Sequence, residues 1–373
     1  MESPVRVALI AGAVVLAAVG AATIFGGEES GSRPPDTGAP APAAAADPTT
    51  TTAAPTTTTA LRTGNGQPVT FAFGGDVHFE GNIRWRLGTP STALASVAPL
   101  LAGADIAMVN LETAITERGT PASKAYNFRA PASAFGALRS AGVDVTTMAN
   151  NHGIDYGSEG LADSLAARTG AGIPVLGIGA NATEAYAPWR TTVRGQRIAV
   201  FAATDVLDDW LIGAWTATDT QGGLASTKGA QQARLEQAIR AVRRSTDTVV
   251  VYLHWGAEGN TCPSPRQREL ATALVAAGAD IVVGSHAHRV QGGGRLGDAF
   301  VDYGLGNFVF YNESGESGRT GVLRVTAVGR RITGSEWVPG RISGGLPRAL
   351  GEPARTQDLA EFGARRACAG LGA

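Results

Sequence analysis

The sequence predicts an α/β fold with a largely parallel central sheet. From residue 68 onward, short β-rich runs alternate with amphipathic helical stretches, the pattern of crossover-connected parallel strands. All five histidines also fall just past predicted strands, where open α/β sheets bind their ligands.

The strands are predicted at 69–74, 106–110, 143–148, 198–203, 248–253 and 281–284, and the helices at 132–141, 158–169, 230–244 and 266–277. Within 230–244, Leu235, Ile239 and Val242 recur at helical spacing, with Arg and Gln on the other face. Residues 300–310 and 321–338 read as strands with no helix between them, expected to pair antiparallel at the end of the fold. No internal repeat is present. The segment after Gly344 is weakly patterned and is expected to wrap the domain or dangle.

Hydrophobic residues make up 44% of the 373, charged residues 17%, and the net charge is −1. Such a chain can build a core, which excludes full disorder, and its neutrality excludes bulk electrostatic nucleic-acid binding. Fifty glycines without a Gly-X-Y period exclude collagen and imply many tight turns. Only Lys124 and Lys228 are lysines, which reads as coding bias.

Residues 7–25, VALIAGAVVLAAVGAATIF, carry no charge and match the ~20 apolar residues that cross a bilayer. Arg6 before the span, with Glu28 and Glu29 after it, favours an inside N-terminus and an outside body. A cleaved secretion signal, using the small residues Gly20, Ala21 and Ala22, is the alternative. The Pro, Ala and Thr tracts that follow cannot bury enough apolar surface to offset chain entropy. The expected organisation is an anchor (1–27), a disordered stalk (28–67), a folded extracytoplasmic domain (68–344) and a tail (345–373).

The chemistry-bearing residues sit at the ends of the strands. They are Asp76 and His78, then Asn110 and Glu112, then Asn151, His152 and Asp155, then His254, and finally His286 and His288. One histidine on an apolar face is usually structural. Five at strand ends in a histidine-poor chain point to metal, because imidazole is the commonest metal ligand. Asp76 and His78 are two residues apart and can converge on one ion, whereas His286 and His288 can serve two neighbouring ions.

This order resembles the calcineurin-like metallophosphatase arrangement. The strings GGDVHFEG, VNLET, YNFRAP, MANNHGIDYGSEG, HWGAE, GSHAHRVQG and GLGNFVF, spread over about 69–310, resemble the CapA family of bacterial capsule (poly-γ-glutamate) synthesis proteins. The resemblance implies a metallophosphatase-like α/β sandwich, here with a membrane-anchoring N-terminal helix and a disordered stalk. It further implies two divalent metal ions. One would take Asp76, His78 and His288, the other Asn151, His254 and His286, and Glu112 would bridge them. That donor mixture suits manganese, iron or zinc better than calcium. The sequence departs from the phosphatase pattern at Glu112, where an aspartate is usual and Asn110 can assist. It departs from the CapA pattern at His78, which restores the phosphatase-like Asp-x-His.

By analogy, His152 is left to face the substrate as general acid. Asp155 either orients that ring or caps the helix beginning near Gly157. Lys124 and Arg129 flank the YNF stretch and either contact an anionic substrate or lie in a solvated loop. Asn307 matches a family motif without an assigned chemistry. Cys262 and Cys368 either pair, closing a long loop, or stay as two thiols.

The function implied is participation in capsule or cell-envelope polymer assembly through a metal-dependent hydrolase site. The partners implied are an anionic polymer or phosphoester substrate, the membrane, and capsule synthesis or export machinery, with no nucleic acid. Two alternatives stand beside it: a secreted phosphoesterase acting on phosphate mono- or diesters, and a non-catalytic assembly or export partner.

Overall fold

A strand that is apolar on both faces must be covered on both faces, and TVVVYLHW (Thr248–Trp255) is buried at every position. The computed structural model, which describes residues 64–373, provides that cover with two stacked sheets and a helical layer outside each. In chain order, β1 (Val69–Val77), β2 (Ile106–Leu111), β3 (Val145–Thr147) and β4 (Val175–Leu176) begin the first sheet. The second sheet holds β5 (Trp189–Val193), β6 (Gln196–Thr204), β7 (Thr248–Trp255), β8 (Ile281–His286), β9 (Gly293–Leu296) and β10 (Ala299–Asp302). The chain then returns to the first sheet as β11 (Asn307–Val309), β12 (Arg319–Val328), β13 (Arg331–Ser343) and β14 (Leu346–Ala349). The first sheet is ordered β14-β13-β12-β1-β2-β3-β4, with β11 also paired to β1. The second runs β9-β10-β8-β7-β6-β5.

Between the sheets, Phe71, Phe73 and Met108 meet Val200, Tyr252, Ile281 and Val283. Tyr252 Oη donates to Gly74 O across this interface at 2.9 Å, so its polar tip is satisfied. Helices α1 (Ser133–Ser140) and α2 (Gly157–Thr169) cover the first sheet. Helices α3 (Gln231–Arg243) and α4 (Pro265–Ala277) cover the second, with Leu235, Ile239, Leu270 and Leu274 turned inward. The start of α4 is fixed by a Ser264–Gln267 capping box with Pro265 in the first turn, and its end by Gly278 at φ 119°.

The structure corrects one sequence expectation and decides another, since the segment after Gly344 packs on the domain and does not dangle. Residues 300–310 are not one strand of an antiparallel ending. They divide between the sheets, β10 lying parallel to β8 and β11 parallel to β1. The antiparallel ending is made instead by β12 on β1 and β13 on β12. The segment after Gly344 is an integral part of the fold, forming β14 and the helix α5 (Ala354–Ala369). Phe362 of α5 stacks on Trp337 at 4.9 Å, and the helix touches both β9 and β13. Cys262 and Cys368 are joined, with their Cα atoms 5.7 Å apart, which ties α5 to the loop after β7.

No helix among the described residues is long and apolar enough to cross a membrane. The expected span at 7–25 and nearly all of the expected stalk lie outside the described residues.

Candidate metal centre

The parallel registers gather the polar residues. Across the first sheet, Asp76 stands opposite both Asn110 and Asn307. Across the second, Trp255 stands opposite His286, which places His254 and His286 at neighbouring strand ends. Two glycines make the first row possible. A Cβ on Gly75 would lie 1.8 Å from Gly306 O, and one on Gly74 would press on the Phe308 ring at 2.9 Å. Only bare backbone lets β11 approach β1 closely enough to bring Asn307 beside the site.

Three groups of ligand atoms converge, each within 4.8 Å of one another: Glu112 with His254 and His286, Asp76 with Glu112 and His288, and Glu258 with His286 and His288. Asn151 belongs with them, since its Oδ1 lies 2.7 Å from His254 Nε2. Asn110 holds the inner frame together. Its Nδ2 donates to Asp76 Oδ1 at 2.8 Å and faces His254 Nδ1 at 3.1 Å, while its Oδ1 accepts from Asn150 at 2.9 Å. The other ring nitrogen of His254 faces Asn151 Oδ1 at 2.7 Å and Glu112 at 3.5 Å.

His286 and His288 take φ values of 94° and 50°, a region that side chains other than glycine rarely enter. The amide of His286 donates to Asp76 Oδ2 at 3.1 Å, and His288 Nδ1 donates to Asn307 Oδ1 at 2.7 Å. These bonds hold the strained loop in place.

The residues fit a divalent cation. Both carboxylate oxygens of Glu112 and Nδ1 of His286 are buried without a hydrogen-bond partner, an arrangement that is costly unless a further group satisfies them. Burial, with the charge of Asp76 beside it, pushes the Glu112 carboxyl well up. Burial likewise pushes His254 down to about 3 and His286 well below its usual value. Burial alone would raise Asp76. The hydrogen bond and charge of His288, together with His254, outweigh it and hold Asp76 well below the usual carboxylate range. His288 is raised because the bond to Asp76 overcomes its own burial. The protein itself thus leaves Glu112 without a hydrogen-bond partner and keeps two imidazoles in the neutral form that binds metal.

His78 is placed elsewhere. Its ring lies in an aromatic box, 4.7 Å from Phe128, 4.1 Å from Phe310 and 4.5 Å from Tyr311. Backbone amides of Glu80 and Tyr311 approach its two ring nitrogens at 3.0 and 3.4 Å, and it joins none of the three convergent groups.

His152 stands at the edge of the cluster. Its Nδ1 is 2.5 Å from Asp155 Oδ2, which orients the ring and leaves Nε2 facing Glu112 at 3.9 Å. Phe128 stacks on the other side of His152 at 4.0 Å. Asp155 makes no helix cap, since no side-chain cap bond is formed at the start of α2. Instead it accepts from Phe128 N at 2.7 Å and from Lys124 Nζ at 2.7 Å. Lys124, half-buried, also donates to the Asn151 carbonyl, so its ammonium braces the His152 loop. Arg129 is turned away, its guanidinium lying over Tyr156 at 4.8 Å.

Two openings lead to the cluster. One, of about 470 Å³, is lined by Tyr126, Phe128, His152, Glu258, His288 and Arg289 among others. The other, of about 320 Å³, shares Tyr126, His152 and Glu258 and reaches Lys124 and the exposed Trp210. A larger cavity of about 750 Å³, lined by Arg295, Arg330 and Arg331, shares no residue with the cluster. Sequence reasoning passed over Phe128, Asn150, Tyr311 and Glu258. Glu258 had a visible signal, sitting four residues after His254 in the HWGAE string.

A two-sheet α/β domain with a cluster of imidazole and carboxylate ligands at its strand ends defines the class. The family model of the bacterial capsule synthesis protein PGA_cap matches residues 70–312, and the chain belongs to that family. Capsule biosynthesis protein CapA of Bacillus anthracis is 33% identical over 218 residues, 57% of this chain and 52% of the relative. PGA biosynthesis protein CapA of Bacillus subtilis is 31% identical over 217 residues, 57% and 55%. A probable polyglutamine synthesis accessory protein of Mycobacterium tuberculosis is 29% identical over 210 residues, 55% and 54%. The chain therefore spans about half the length of these relatives. Among solved structures, a novel phosphatase of Mycoplasma pneumoniae gives a TM-score of 0.45 at 13% identity, covering 79% of this chain and 98% of its own. A putative 5'-nucleotidase of Staphylococcus aureus gives 0.45 at 14%, covering 80% and 58%. Likeness at that level supports no functional statement.

Proposed function

We propose that the chain is a metal-dependent hydrolase of the cell envelope that acts in the assembly of a capsule-type anionic polymer. The observation that carries this reading is the convergence of Asp76, Glu112, His254, His286 and His288 around a carboxylate whose two oxygens have no partner. Divalent ions bound there supply Lewis-acid polarisation and activate water. The chain's own residues supply the rest. Asp76, Glu112, Asn151, His254, His286 and His288 would hold the ions, and Asn110 and Asn307 fix the orientation of the imidazoles. His152, oriented by Asp155, presents Nε2 for proton transfer at the leaving group. Lys124 keeps that loop in place, and the two adjoining openings give an extended substrate a way through.

The polymer assignment rests on the names of the relatives, and the substrate class is a phosphoester or an amide of that polymer. A second reading, a non-catalytic assembly partner, is favoured by the description of the mycobacterial relative as an accessory protein. Turnover of aryl phosphate mono- and diesters and of poly-γ-glutamate by the full-length protein, with manganese, iron or zinc added, separates the two. The hydrolase reading predicts metal-dependent turnover. It also predicts a loss of about 10²–10⁴-fold in kcat for His152→Ala with metal content unchanged, smaller for a nitrophenolate leaving group. Full metal occupancy with no turnover of any of these substrates would leave the accessory role.

A further inference from the structure

The ligand set implied by the resemblance leaves one position open, because the ring of His78 is boxed by aromatics and approached by backbone amides. We propose that Glu258 supplies a carboxylate to the metal centre from its solvent side, together with His286 and His288. The inference rests on the reading of the cluster as a metal site.

The backbone is built to bring Glu258 there. The loop after β7 turns at Gly256, φ 95°, where a Cβ would strike the Gln267 side chain at 2.8 Å. Gly259 N then donates to Ala287 O at 2.9 Å, fastening this loop to the one residue that lies between His286 and His288. Gln291 Nε2 donates to Asn260 O at 2.8 Å, and the Cys262–Cys368 link holds the far end. A loop braced at three successive points presents Glu258 in a fixed place, with its carboxylate inside the 4.8 Å group that includes both imidazoles. The buried Nδ1 of His286, which has no partner, is an independent sign of a missing ligand in that group.

The chemistry follows from exchanging a neutral imidazole for a carboxylate. An ion held on this side would carry one unit less net charge, and Glu258 lines both openings.

The test is manganese titration of the full-length apo protein by calorimetry, with elemental analysis after desalting, for wild type, Glu258→Gln and His78→Phe. Glu258 is exposed, so Glu258→Gln should keep the wild-type far-ultraviolet circular dichroism and metal-free melting temperature. The expected result is that Glu258→Gln loses one equivalent, or binds its weakest equivalent ~10–100-fold less tightly, the range seen even for outer ligands. His78→Phe should retain the wild-type stoichiometry, and Glu258→Asp should fall between. Wild-type binding in Glu258→Gln overturns the proposal while leaving the metal centre standing, as does loss of an equivalent in a folded His78→Phe alone. A wild-type protein that takes up no manganese, iron or zinc removes the metal centre and the proposal together.

Discussion

Among single residues outside the cluster, Asp302 carries the clearest energetic consequence. It ends β10 fully buried, accepts one bond from Gly304 N at 3.1 Å, and has no partner for Oδ2. Burial pushes its carboxyl up to about 7. The unfolded chain releases this proton near pH ~4, whereas the folded protein holds it to about 7. Between those values the folded state binds more protons, so stability is full below the unfolded value and falls as the pH rises through the folded one. The linked loss is of the order of 4 kcal/mol. Asp302→Asn should therefore raise the melting temperature relative to wild type at pH 8 by more than at pH 4.5. Equal shifts at the two pH values would show that Asp302 is not the titrating group.

Legibility at this scale divides by what each residue touches. Asp76, His254, His286 and His288 stand out locally at strand ends, the resemblance to metallophosphatases added Glu112 and Asn151, and the structure brings all six together. His78 lies two residues from Asp76, yet Phe128, Phe310 and Tyr311, far away in sequence, decide where its ring lies. Lys124 was similarly open between substrate contact and solvent, and only the fold shows Asp155 beneath it.

At the scale of elements, the six strands read from β-rich runs and the four helices read from apolar periodicity all exist, with ends shifted by a few residues. What local pattern cannot carry is the assignment of a run to a sheet. Residues 300–310 look continuous, but the approach of Gly306 to Gly75 pulls the second half across to β1. Helix α5 was missed for a related reason. It buries little beyond Phe362 and Ala369, and its anchors are polar and distant. Arg319, itself buried, bonds to Asp358 at 2.7 Å and to Glu361 at 2.9 Å, and Trp337 donates to Asp358 at 3.1 Å. The close packing of β11 on β1 predicts that Gly75→Ala costs about 3 kcal/mol, the upper part of the overpacking range, because backbone rather than a flexible side chain must move. Gly88→Ala, with nothing within 4 Å of the added carbon, should change stability by less than ~0.5 kcal/mol. Urea unfolding of the pair measures both, and a Gly75→Ala protein as stable as Gly88→Ala would refute the close approach.

For the whole molecule, the link between Cys262 and Cys368 closes a loop of 106 residues, worth up to ~4–5 kcal/mol by chain entropy. A disulfide of this kind belongs to an oxidising compartment. That agrees with the expectation from the sequence that residues 7–25 serve as an anchor, or a cleaved signal, that puts the folded domain outside the cytoplasm. Protease added to intact spheroplasts should then remove the domain, and alkylation of freshly isolated protein without reductant should find no thiol. Protection of the domain while a periplasmic control is digested, or two reactive thiols, would place it inside.

The central claim is that the strand-end cluster holds divalent metal. Elemental analysis of the full-length protein purified in the presence of manganese, iron and zinc, beside Glu112→Gln, tests it most directly. The account predicts at least one bound equivalent per wild-type chain. It predicts a clear loss in Glu112→Gln, which keeps the shape of the side chain and removes the buried charge. Wild-type protein that is folded and free of divalent metal, or a Glu112→Gln variant that keeps the full complement, would contradict it.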